Sequence, residues 1–161
     1  MVRPAHACGA WHQLHRDWSK RALAKRTTGR LNTATGDSAW NFNTVGERNT
    51  ASGYSAHGQL RTGSQNTAVG MFTVHANGSN DNTAIGYPAP TGACDASAGR
   101  GNTAAGAYAP KGIRGGQYNT GNGYYALHSN TTGCRNVALG SPTGFAVTTG
   151  GDNITIGSDN E

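Results

Sequence analysis

The chain has 161 residues, a formal net charge of +5 and a mean hydropathy of −0.58. Leu, Ile, Val and Phe together supply only 19 of those residues, about 12%, which excludes an ordinary globular core of large aliphatic side chains. No run of 18 apolar residues exists, which excludes a transmembrane helix, and the even spacing of small residues argues for order rather than disorder.

The charge is not spread evenly. Residues 1–30 hold seven basic side chains (Arg3, Arg16, Lys20, Arg21, Lys25, Arg26, Arg30) against Asp17, a balance of +6, whereas residues 31–161 sum to −1. Within the first segment Trp11, Leu14, Trp18 and Ala22 fall at helical spacing, with Gly29 as a stop. The expectation is a basic N-terminal arm, either a short helix or disordered. A basic amphipathic helix can bind membranes or nucleic acid. The preferred reading is plainer: a cap on the end of the repeat stack, or a segment foreign to the fold, with no nucleic-acid partner.

From residue 31 onward the chain is a repeat. Variants of the pentapeptide Asn-Thr-Ala-x-Gly start at Asn32, Asn49, Asn66, Asn82, Asn102, Asn119, Asn136 and Asn153, with spacings of 17, 17, 16, 20, 17, 17 and 17. A fixed period of this size marks a repeat architecture whose units bury their faces only by stacking. Counting each Asn as offset 0, offset 2 is Ala in six units, offset 7 is mostly Ala, and offset 4 is always Gly (Gly36, Gly53, Gly70, Gly86, Gly106, Gly123, Gly140, Gly157). A second Gly recurs at offset 14 in the 17-residue units, as in Gly46, Gly63 and Gly133. Gly at a corner accepts positive φ, and Thr favours strand. The expected fold is therefore all-β, a parallel solenoid of about eight coils with two extended pieces per coil and glycine corners. The Asn column suits turn geometry or a stacked ladder. The 20-residue unit carries Pro88, Pro90 and Cys94 in its extra length and is expected to bulge, while the 16-residue unit tightens a corner near Gly78.

Offset 3 varies, but four units place an aliphatic there: Val69, Ile85, Leu139 and Ile156. Coils this poor in large apolar groups need a further partner, and this column is the expected seam for self-association. Tyr54, Tyr87, Tyr108, Tyr124 and Tyr125 come after the invariant Gly, at offsets 5 and 6. They pack the corner or form an exposed ridge that holds protein or sugar.

The remaining signals do not assemble into chemistry. Gly121–Ala126 and Gly99–Ala104 match a dinucleotide fingerprint, but the periodic Gly and Ala explain both, and no cofactor is expected. Cys8, Cys94 and Cys134 are odd in number and show no Cys-x-x-Cys spacing; His6, Cys8, His12 and His15 fit no standard metal finger. His57, His75 and His128 share a position late in their repeats, a property of the period. Asp37, Glu47, Asp81, Asp95, Asp152 and Asp159 are scattered, and the calcium nonapeptide is absent. No catalytic residue and no metal ligand is expected, so the chain reads as non-enzymatic. The Thr column at offset 1 suggests an ice-binding face, but lacks consistent Thr-x-Thr pairs. The sequons at Asn77, Asn130 and Asn153 are within chance for this composition.

The unit Asn-Thr-Ala-x-Gly-x-x-Ala, as in Asn82–Ala89 and Asn102–Ala109, resembles the head repeats of YadA-type trimeric autotransporter adhesins. The longer form ending in Asn130-Thr131-Thr132-Gly133 is similar to repeats of trimeric phage tail-fibre proteins. The resemblance covers residues 32 to about 157. It implies a left-handed β-roll packed as a homotrimer and an adhesive role at a cell surface or in the extracellular space, with a matrix protein or surface glycan as partner. The tail-fibre likeness implies a virion structural role instead. Two departures stand out: the period of 17 is longer than is typical of adhesin heads, and no heptad stalk or β-barrel anchor is expected after Gly157, so the chain reads as a head module.

Overall fold

The computed structural model describes residues 15–16, 28–40, 43–56, 61–73, 78–87, 99–108 and 115–158. Among these residues the chain is all-β, a parallel β-solenoid of about six turns with no helix. Its strands are β1 (His15–Arg16), β2 (Thr33–Thr35), β3 (Thr50–Ser52), β4 (Thr67–Val69), β5 (Thr83–Ile85), β6 (Thr103–Ala105), β7 (Thr120–Asn122), β8 (Val137–Leu139) and β9 (Ile154–Ile156). They lie in one sheet in chain order, every neighbouring pair parallel.

Each strand from β2 to β9 is offsets 1 to 3 of a repeat. The side chains alternate as pleating requires: offsets 1 and 3 face outward and offset 2 faces inward. Ala34, Ala51, Ala68 and Ala138 at offset 2 are fully buried, and Ala84 and Ala104 nearly so. Pairing keeps this register through the units of unequal length. Thr67, Ala68 and Val69 oppose Thr83, Ala84 and Ile85, which in turn oppose Thr103, Ala104 and Ala105. A one-residue slip would turn Ala outward and Thr inward, so the variation is absorbed outside the strands. Pro88, Pro90 and Cys94 lie outside the described residues.

Beside the Ala column the interior carries a column of buried Asn side chains. Asn49 donates from Nδ2 to the Gly63 carbonyl at 2.9 Å, and its Oδ1 accepts the backbone N–H of Asn66 at 2.8 Å. The pattern repeats with Asn66 on Ser79 and Asn82, Asn82 on Gly99 and Asn102, and Asn119 on Gly133 and Asn136. Each Asn thus closes its own coil and ties it to the next. A buried amide is costly unless its donors and acceptor are matched, and here they are. In the 16-residue unit Ser79 supplies the carbonyl that glycine supplies elsewhere. Trp40 and Leu127 are the largest fully buried side chains, filling the interior in two coils.

Three expectations change. The second extended piece of each coil is not a strand among the described residues, because the chain after offset 4 runs through turns and bends. Corners are not glycine alone. Leu31, Arg48, Gln65, Asp81, Tyr118, Arg135 and Asp152, each just before a repeat Asn, have φ between 53° and 62°, and so do Ser38, Ser55, Phe72, Tyr108 and Tyr125 at offset 6 within a few degrees, from 51° to 57°. The left-handed region costs a side-chain-bearing residue about 1–2 kcal/mol, which the inter-coil bonds offset. Finally, His15–Arg16 is strand rather than helix, paired with Thr33 and Ala34. The edge of β2 offers unpaired N–H and C=O groups, and a parallel segment satisfies them. Thr28 already donates to the Thr44 carbonyl at 2.9 Å, so the coil frame reaches back across residue 31. Trp11, Leu14, Trp18 and Ala22 lie outside the described residues.

Candidate functional site

The invariant glycines all have positive φ, from 117° at Gly36 to 142° at Gly86. Space is equally short. A Cβ built on Gly86 would collide with the Gly106 carbonyl, its carbon 2.8 Å away. The offset-14 glycines differ. Gly46 shows no left-handed φ, yet a Cβ there would strike the Gly63 carbonyl and sit 2.9 Å from Asn43 Oδ1. At Gly46 and Gly133 close stacking alone therefore requires glycine. Asn43 and Asn130, three residues before such a glycine, each accept its N–H, at 2.8 and 2.9 Å. Asn130 is fully buried, so its sequon is closed to modification.

The sharp turn at offset 4 throws the next residue outward. Tyr54, Tyr87 and Tyr124 are about half exposed (48%, 53% and 48%), and Met71 takes the same position. The structure divides the five tyrosines. Tyr54 meets Phe72 edge-on at 5.4 Å. Tyr108, Tyr124 and Tyr125 form one cluster: Tyr108 stacks on Tyr125 at 5.2 Å, and Tyr124 stands across both at 5.8 and 4.4 Å. Tyr87 belongs to a coil between the two groups. The Tyr125 hydroxyl, as hydrogen-bond partner, together with burial and the neighbouring phenols, raises the Tyr124 ionisation above its ordinary value.

Sequence reasoning missed how far this cluster extends. Tyr125 continues onto His128 at 4.7 Å, and His128 lies parallel to Phe145 at 5.5 Å. The result is a row Tyr108–Tyr124–Tyr125–His128–Phe145 across three successive coils. A signal was present: Tyr108 and Tyr125 are 17 residues apart, and so are His128 and Phe145, one period in each case.

On the sheet face, Val69, Ile85, Leu139 and Ile156 lie in one outward column and are exposed, at 38%, 45%, 38% and 74%. The neighbouring outward column is Thr from Thr33 to Thr120 and becomes Val137 and Ile154 at the last two strands. Ile154 is 72% exposed, so the apolar character widens toward β9. The coil edge just before the Asn column carries ion pairs instead: Arg100 with Asp81 at 2.9 Å, and Arg135 with Asp152 through two bonds of 2.6 and 2.7 Å.

Among the described residues no three His, Cys, Asp or Glu side chains gather as a metal site. His6, Cys8, His12, His57, His75, Asp95 and Asp159 lie outside them, and Cys134 is a half-buried free thiol. No described helix is long and apolar enough to cross a membrane. No family model, curated protein or solved structure matches the chain.

Proposed function

We propose that this chain is a non-enzymatic adhesive head module of a trimeric surface fibre, acting at a cell surface or in the extracellular space on a host or matrix macromolecule. In this reading the solenoid is left-handed, has eight coils, and packs against two further copies. The observation that carries it is the outward column Val69, Ile85, Leu139 and Ile156. Four aliphatic side chains at one register of a single sheet, exposed in the isolated chain, are what a self-association seam presents. A three-fold arrangement would cover that column while leaving the corner after the invariant glycine open to a ligand. The resemblance to YadA-type heads points the same way.

Light scattering on the purified chain tests the proposal. A trimer is expected, and Ile85→Asn combined with Leu139→Asn should shift it to monomer. A monodisperse monomer with β-type circular dichroism would overturn the seam.

A second reading, a virion or phage tail-fibre structural protein, is favoured by one observation. Asn43–Gly46 and Asn130–Gly133 form the same Asn-capped turn at the end of a 17-residue coil, and the longer unit ending in such a turn is the one similar to tail-fibre repeats.

A further inference from the structure

We infer that the aromatic row Tyr108–Tyr124–Tyr125–His128–Phe145 is a platform for a neutral oligosaccharide. The inference rests on the adhesive reading of the chain and names the ligand class. Three features point to a sugar. The row is built of rings, Tyr108 stacked on Tyr125 and His128 on Phe145 with Tyr124 set across the first pair, and the C–H faces of a pyranose lie against the ring faces that remain open. Tyr124 and Phe145 are 48% and 49% exposed, so the row has accessible rings at two places along its length. The three phenols add hydroxyls that donate to and accept from sugar hydroxyls.

The row also holds no carboxylate, ammonium or guanidinium group, which gives an acidic glycan nothing to pair with. Arg135, the one described Lys or Arg between Tyr108 and Phe145, is engaged by the Asp152 carboxylate. Ring-to-ring packing holds the platform before any ligand arrives, so little side-chain freedom is lost on binding. Three coils at about 4.8 Å each give a row matched to several linked sugars rather than one. A second copy of the chain is the less suited occupant, because the apolar residues of the sheet face lie in a different column from these hydroxyl-bearing corners.

The test is native gel electrophoresis of the whole chain in gels cast with hydroxyethyl cellulose, laminarin or dextran as neutral probes, and dextran sulfate as the anionic one. Retardation by at least one neutral polysaccharide is expected. Tyr124→Ala and Phe145→Ala should each weaken it about tenfold or more, while Tyr54→Ala should not. Circular dichroism and melting check that each variant is folded; Tyr124→Phe and Phe145→Tyr, which keep a ring, should retain binding. Retardation by dextran sulfate alone would overturn the inference, as would no retardation in any gel, or retardation that both alanine variants preserve. Self-association that disappears with Tyr124→Ala would assign the row to a second copy and also overturn it. A trimer that adheres to a protein-coated surface but to none of these sugars fails this inference alone, whereas a monomer fails the fibre reading whatever the gels show.

Discussion

The side-chain carbonyl of Asn66 accepts the backbone N–H of Asn82 at 3.0 Å, while its amide donates to the Ser79 carbonyl at 2.8 Å. One fully buried side chain therefore closes its own coil and fastens the next. Repeated along the column, the arrangement replaces much of what aliphatic packing does in other folds. It also explains how a chain with so few large apolar residues holds a fixed register.

Asn66→Ala should be severely destabilising. It removes the acceptor of the Asn82 N–H and a donor to the Ser79 carbonyl in a buried setting, and a buried polar group left unmatched costs about 1–3 kcal/mol. Asn153 is only half-buried and bonds to Asn136 and Gly151. Asn153→Ala should therefore cost less. Urea melts of the two variants beside the parent measure the difference; equal losses would show that the amide ladder is not what ties the coils.

The invariant glycine answers to two demands that can be separated. Gly157 has φ of 123° but nothing within 4 Å of where a Cβ would stand, whereas Gly86 has φ of 142° and the Gly106 backbone in the way. Gly157→Ala should show backbone strain alone, about 1–3 kcal/mol. Gly86→Ala should lose that and more, because the stacked coil must move apart. Thermal melts of both variants rank them. If the two match, steric closeness between coils contributes nothing.

What was legible in the sequence was whatever recurred at one offset. Asn32 to Asn153, Ala34 to Ala138 and Gly36 to Gly157 form unbroken or nearly unbroken columns because stacking imposes the same environment on each coil. Those columns dictate the parallel sheet and its register. Trp40 and Leu127 were not legible, since they sit at offset 8, where the other coils carry His57, Val74, Pro90, Pro110 and Gly144. An offset occupied by such unlike residues leaves no column to read. The left-handed residues before each Asn were hidden for another reason. Leu31, Arg48 and Gln65 carry no turn preference, and inter-coil bonds such as Arg48 N–H to the Arg30 carbonyl at 3.0 Å hold them there. Of the candidate site, the tyrosines were visible as a recurring offset. The extension through His128 to Phe145 was not, because it joins two offsets that only folding brings together.

The Arg135–Asp152 pair gives the chain a measurable response to acid. The guanidinium, hydrogen-bonded to the carboxylate through two nitrogens, lowers the Asp152 ionisation below its ordinary value of 3.8. A carboxyl whose folded-state value is depressed binds its proton less readily when folded than when unfolded. Its contribution to stability is therefore present above the unfolded value, and is lost as pH falls through the folded one. Because both side chains are well exposed, at 63% each, the contribution should be small and weakened by salt. NMR titration of the Asp152 carboxyl should give a midpoint below that of an unpaired Asp, and Arg135→Gln should move it back up. Asp152→Asn should melt slightly below the parent at neutral pH, and the gap should close in acid below the folded midpoint. A gap that stays constant across that range would mean the pair positions the last two coils by shape alone, without charge.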